Sequence, residues 1–342
     1  MFRTIRKPLR ALKKRFRQRS RLRSNYWYDC HRFAKHASPF NDFDQPEQLL
    51  AFVWKLAHAI EKGLSLPSPR PGFGIEKLEI LIGSLDKYLV RYGAHPELAS
   101  AVGAVDAYFD FNEAERCEVS DLKARYLPVR RRCEIALGDS PWKGGTIELS
   151  RDEVWDRGRL DLEAFFCSRH SVRQFGPTPV ERSDIEWAVR MAQRTPSVCN
   201  RQTGRVYVFE NGALGARILE CQIGNRGFGH QASKIMVVTA DLRRFLSVGE
   251  RNQCWIDGGL FAMTLVWALH SRGIGTCYLN WCAEKEQDER LRRVAGIPDW
   301  ENIITLIAVG SLPDRFPVAS SPRRDLGEVL FFREQEDDHG AV

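Results

Sequence analysis

Residues Trp255 to Ser271 are apolar almost all round, and they lie between short runs rich in β-branched and aromatic side chains. A helix with no polar face must be buried in a core or at a subunit interface, which commits this part of the chain to a layered packing of helices on a sheet. The helix ends at Arg272-Gly273, a basic last turn followed by a glycine in the C′ position. Arg205 to Phe209, Lys234 to Thr239, Thr276 to Trp281 and Ile303 to Val309 read as strands. Ser183-Asp184-Ile185-Glu186 reads as a capping box, opening a helix that carries Ile185, Val189 and Ala192 and stops before Pro196. From about residue 160 onward the expected class is therefore α+β, a mixed sheet flanked by helices.

The preceding part has a different period. Leu49, Leu50, Val53, Leu56, Ala57 and Ile60 form one helical stripe, Leu78, Leu81, Ile82, Leu85, Leu89 and Tyr92 a second, and Leu98, Val102, Val105 and Phe109 a third. Between the first two, the glycines and prolines of residues 63–74 forbid a continuous helix and predict a shaped loop. A fourth, basic segment from Leu122 to Leu137 contains Pro128, where a kink is expected, and stops at Gly138. Asp139 to Gly145 is the expected domain boundary. Three regions follow: an arm at 1–25, an all-helical extension at 26–145 and a second domain at 150–335.

Net charge is +7, but residues 1–23 hold eleven Lys/Arg and no acid, which leaves the other 319 residues at −4. Phe2, Ile5, Leu9, Leu12 and Phe16 recur at helical spacing within that arm, with Pro8 interrupting unless the first turn begins there. The pattern suits a helix on an anionic membrane surface; a solvated basic tail and a nucleic-acid contact are the competing readings, and no nucleic-acid partner is expected. No run of about 18 uncharged apolar residues is present, and the uncharged core and small-residue cleavage site of a secretory leader are missing. The nine cysteines are odd in number and include no Cys-x-x-Cys pair, arguing against a disulfide framework or structural zinc site. A cytoplasmic protein, peripheral at the inner face of a membrane through residues 1–23, is the expectation.

Two stretches carry the chemistry. Arg169-His170-Ser171-Val172-Arg173 places two arginines and a hydroxyl within five residues, a set suited to a phosphate. Pro196-Ser197-Val198-Cys199-Asn200-Arg201-Gln202, just before a strand, suits the edge of a planar heterocycle, and together the two suggest flavin mononucleotide (FMN). With the order of elements around the apolar helix and the terminal Arg323-Arg324, residues 163–332 resemble the flavin-dependent nitroreductase family. The resemblance implies a nitroreductase-like α+β fold and a homodimer with FMN at the subunit interface. The helical part, with His58-Ala59-Ile60-Glu61-Lys62-Gly63-Leu64, resembles the extension of family members associated with bacterial polysaccharide biosynthesis.

By that resemblance Arg169, His170 and Ser171 would contact the FMN phosphate and ribityl chain, and Arg173 the pyrimidine end, where a cation favours the reduced flavin. Pro196, Ser197 and Asn200 would reach the flavin of the opposite subunit. Asn225 would touch the ring, Tyr278 and Leu279 would pack on one face, and the amides of Asn280 and Trp281 would reach N5 and O4. Arg323, helped by Arg324, would complete the phosphate contacts. The chain departs from the family at Phe228, where a lysine is frequent, and at Ser321, where a basic residue is common. Gly273-Ile274-Gly275 lacks the third glycine and following helix of a dinucleotide fingerprint. His58 and Glu61 share a helical face and read either as an acid/base pair beside a pocket closed by the 63–74 loop or as a structural contact between extension and flavin domain. No catalytic side chain and no metal ligands stand out. The implied reaction is ping-pong hydride transfer through flavin N5 from NAD(P)H to an unidentified second substrate; a flavin dehydrogenase or oxidase working on a glycan or peptide intermediate without nicotinamide, and a membrane-bound scaffold with a degenerate flavin fold, are the alternatives.

Overall fold

The chain was analysed as a computed structural model, which describes residues 2–39, 42–137, 144–158 and 160–333, with side chains from residue 13 onward other than those of 137 and 157. The apolar side chains of the arm before Phe16, and the linker residues 138–143, therefore lie outside the described residues. Helix α1 (Phe2–His36) runs unbroken through Pro8 and across residue 25, so the arm and the first helix of the extension are one element, about 50 Å long at 1.5 Å per residue.

Helices α2 (Pro46–Leu64), α3 (Ile75–Tyr92), α4 (Leu98–Ala114) and α5 (Ser120–Leu137) form the helical half. The three apolar stripes converge on one core with Tyr126 and Cys133 of α5. Only the end of the second stripe departs: Leu89 packs against the core from its margin, and Tyr92 is exposed and rests on Tyr88. Gln48 accepts from the Asp44 and Gln45 amides, fixing the start of α2.

After α6 (Arg151–Gly158) and α7 (Leu162–Ser168) comes the sheet domain: α8 (Arg182–Ala192), β1 (Gly204–Glu210), α9 (Ala213–Leu219), β2 (Lys234–Asp241), α10 (Gln253–Ser271), β3 (Ile274–Leu279), α11 (Lys285–Ala295) and β4 (Glu301–Ser311). The strand order is β1-β2-β4-β3, every pair antiparallel. The class is α+β as expected, and the parallel component of the expected mixed sheet is a single bridge between Ser171 and Thr276. Alternation along the strands sends Met236 and Val238 toward α8 and α10, and Ile235 and Val237 toward α9 and α11. The capping box is not observed. Glu181 precedes α8 without a side-chain cap, Ser183 lies inside the helix, and Glu186 instead accepts from Arg182 one turn earlier. The helix at 253–271 is half covered: Phe261, Leu265 and Leu269 face the sheet, while Trp255, Ile256 and Leu260 are exposed.

Polar contacts at helical spacing dock α1 on the sheet domain. Arg21 pairs with Glu284, Asn25 accepts from the Lys285 amide, and Tyr28 donates to Asp288. Arg32, buried, donates to Asn302 Oδ1 at 2.6 Å and to the carbonyls of Asp299 and Glu301 at 2.7 and 2.6 Å. His36 and Lys35 hydrogen-bond to Asp299; burial pushes that carboxyl up, but these hydrogen bonds and the Arg32 charge outweigh it and hold it well below the usual range. Truncation of Arg32 strands buried acceptors, so Arg32→Met is expected to cost about 3 kcal/mol in urea unfolding, and Lys35→Met, at the exposed edge, under about 1 kcal/mol. Equal losses would contradict a buried seam.

Candidate active site

Residues 169–173 leave α7 extended and are laid beside β3. Ser171 bridges Thr276, and the Val172 amide donates to the Thr276 carbonyl at 2.9 Å. Val172 is buried, while Arg169, Ser171 and Arg173 keep accessible surface. Farther on, the Gly176 amide donates to Ser311 and the Phe175 ring lies on β4 where Gly310 has no side chain; a Cβ there would stand 2.7 Å from the ring. Bulk at residue 310 would lift the arginine segment off the sheet.

The Arg169 guanidinium lies 5.5 Å from the Trp267 ring centre, and that of Arg173 5.9 Å from Phe228. Among the described residues no carboxylate pairs with either arginine. Their field reaches the end of β3: burial pushes the Tyr278 phenol and Cys277 thiol up, and Arg169 and Arg173 respectively oppose the rise. Arg169, His170, His270 and Thr276 line a cavity of about 190 Å³ that Leu312 and Phe316 close. His270 Nε2 is 2.9 Å from Ser168 Oγ, and burial holds this imidazole below its ordinary value of 6.5.

The Pro196–Gln202 loop is held on the other side of α10. Cys199, Asn200 and Gln202 all have φ near +50°, a left-handed backbone that costs side-chain-bearing residues energy and persists only where neighbours impose it. Ser197 Oγ accepts from the Gln202 amide, Asp257 of α10 accepts from the Val198 amide, and fully buried Arg201 donates to the Val198 and Arg244 carbonyls and to Glu250. Pro196 and Ser197 line a different cavity, of about 560 Å³, and Asn200 is exposed. A single chain therefore does not gather all the expected site residues.

The remaining ones are dispersed. Asn225 donates to the Leu219 and Gln222 carbonyls and so spends its amide on its own loop, while Gln222 ties that loop to the Asn280 carbonyl. Tyr278 reaches Met263, Leu279 is buried, and the Trp281 indole donates to Asp288. Arg323 and Arg324 stand on the exposed segment after β4, with Arg323 donating to the Ser321 carbonyl. The His58–Glu61 pair stays within the extension: its nearest atoms are 3.8 Å apart, and Glu61 accepts from the Gly145 amide. Arg201, Asp257 and His270, which shape the two cavities, escaped the sequence reading. An acid in an apolar helix was the signal for Asp257.

Residues 167–225 and 222–311 match the family model described as Nitroreductase family. Over residues 167–311 the chain is thus similar to that family. Similar solved structures include a putative NADH dehydrogenase/NAD(P)H nitroreductase from Parabacteroides distasonis (18% identity, TM-score 0.45, 52% of this chain and 99% of that one). A nitroreductase family protein from Streptococcus pneumoniae has 20% identity and TM-score 0.44 over 51% of this chain and 100% of its own. A putative nitroreductase in complex with FMN from Desulfovibrio desulfuricans has 20% identity and TM-score 0.45 over 52% and 98%. No curated protein matches.

Within the segment that matches the family model, His270 offers a pH signature. Its depressed value means the neutral form is stabilised, so its contribution is complete above about pH 6.5 and lost as the pH falls through the lowered value. Unfolding free energy is expected to drop more steeply between pH 7.5 and 5 in the wild type than in His270→Gln; parallel curves would remove His270 from the account.

Proposed function

We propose that the chain is an FMN-dependent oxidoreductase that takes hydride from NAD(P)H and passes electrons to a second substrate. The observation that carries this reading is the pinning of Arg169, Ser171 and Arg173 beside β3, inside the segment that matches the nitroreductase family. Two guanidinium groups without carboxylate partners, with a hydroxyl between them, fit a phosphorylated anionic coenzyme. FMN, when bound, supplies the hydride-accepting and electron-donating chemistry; the protein's own groups position and tune it. Arg169, His170 and Ser171 hold the phosphate and ribityl end. Arg173 places positive charge at the pyrimidine end, and buried Phe228 replaces a second cation there with a ring on which the guanidinium rests. Tyr278, on the α10 side of β3, supplies the apolar floor, whereas Leu279 points to the opposite face of the sheet, into the core under α9 and α11.

The functional unit on this reading is a homodimer. The apolar face of α10 is unpartnered in one chain, with Trp255, Ile256 and Leu260 at 42%, 53% and 46% exposure. Pro196, Ser197 and Asn200 then serve the cradle of the opposite subunit. The arm holds the dimer at an anionic membrane face on the cytoplasmic side: residues 13–23 of α1 carry seven Lys/Arg and exposed Phe16, and no helix among the described residues is long and apolar enough to cross a membrane.

Purified protein is expected to be yellow, to release FMN, and to bleach anaerobically with NADPH or NADH. Arg169→Ala is expected to weaken FMN tenfold or more, the loss of one charge-assisted phosphate contact. A colourless protein that takes up no FMN refutes the reading. Deletion of residues 1–20, sparing Arg21 and its contact with Glu284, is expected to abolish sedimentation with phosphatidylserine vesicles; undiminished binding would show the arm has no such role.

A further inference from the structure

Where the helical half meets the sheet domain lies the cavity of about 560 Å³ that Pro196 and Ser197 line, a volume suited to a small organic ligand. Its wall on the helical side is Trp54 of α2 and Glu97 at the start of α4; Arg205 of β1 and Arg244, just after β2, face them. Seven buried side-chain polar atoms among the described residues lack a hydrogen-bond partner, and three of them, Thr195 Oγ1, Thr203 Oγ1 and Arg244 Nε, belong to this lining. Buried polar atoms are nearly always paired, so three orphans around one hollow mark groups that await a ligand. Thr203 is fully buried.

Arg205 is the lining arginine least engaged by carboxylates among the described residues. Glu97 is taken by Arg244 at 2.7 and 2.9 Å, Asp257 by the Val198 amide and Gln253, and Arg201 by Glu250. Among the described residues Arg205 donates to the carbonyls of Gln202 and Gly204 and forms a loose ion pair with Asp241 at 3.8 Å. We propose that this cavity is the subsite for an organic acid with an apolar or aromatic body, its carboxylate taken by Arg205 and the two threonine hydroxyls and its body laid against Trp54. The helical extension thereby becomes the part of the chain that selects the second substrate. That role rests on the oxidoreductase reading, whereas binding of the acid does not.

The test is titration of the full chain with benzoate, read by calorimetry and Trp fluorescence, with benzyl alcohol as the uncharged comparison. Benzoate is expected to bind at least tenfold more tightly than benzyl alcohol, and Arg205→Gln to erase that preference. Thr203→Val, which keeps the side-chain shape, is expected to weaken benzoate severalfold and stands in should Arg205→Gln fail to fold. Arg190→Gln, outside the cavity, is expected to change nothing. Equal affinity for the two probes, or a preference that survives both Arg205→Gln and Thr203→Val, overturns the proposal. FMN uptake measured on the same samples separates the two readings: yellow protein indifferent to benzoate sinks the subsite alone, and benzoate-binding protein that never takes up FMN sinks the oxidoreductase reading alone.

Discussion

The paired contact of Arg244 with Glu97 decides how the two halves of the chain meet. Glu97 opens α4 and Arg244 closes the turn after β2, 147 residues later in sequence. Burial raises the Glu97 carboxyl and the Arg244 guanidinium outweighs that rise, so the acid stays ionised in a largely enclosed position. Such a pair adds little net stability over an apolar contact, yet losing one partner is costly, so its effect is to permit one docking geometry. Behind it, Arg201 donates to the Arg244 carbonyl, to Glu250 and to Val198. The docking contact and the strained Pro196–Gln202 loop are thus joined by a continuous set of hydrogen bonds.

The extension touches the candidate site from a second direction. Asp288 accepts from Tyr28 of α1, from the Trp281 indole and from Arg292. One carboxylate therefore couples the first helix to the residue that follows β3 by two positions. Helix α1 bonds to the domain at residues 21, 25, 28, 32 and 35/36, spacings of four and three that keep every contact on one face. Its more N-terminal part has no such contact among the described side chains, which leaves a basic rod standing off the body.

What was legible in the sequence was what depends on local period. The apolar stripes of α2, α3 and α4 fall where helical period placed them, and the four strands overlap the runs of β-branched and aromatic residues. β3 begins two residues early, at Ile274, and stops at Leu279, where pairing with β4 ends. The full length of α1 was hidden because its docked face is polar: Tyr28, Arg32 and His36 read as solvated until Asp288 and Asp299 are brought to them from more than 250 residues away. Ser183 and Glu186 satisfied a local rule for a cap, but Arg182 offered Glu186 a closer partner. The arginine segment was legible as a phosphate cradle; the unpartnered threonines were not, since their lack of partners is a property of the fold.

Helix α10 explains why one chain holds a divided site. Asp257 near its start fixes the Pro196–Gln202 loop, and Trp267 and His270 near its end shape the arginine cradle. Ten residues separate Asp257 from Trp267, about 15 Å of helix, too far for one small coenzyme head to touch both ends and still rest on β3. The face between them, through Ile256, Leu260 and Met263, is apolar and uncovered or only partly covered. On the homodimer reading, a two-fold axis perpendicular to α10 would run the two helices in opposite directions and so set the loop end of one against the cradle end of the other. The apolar surface that a single chain leaves in water would then be the ruler that joins the two half-sites.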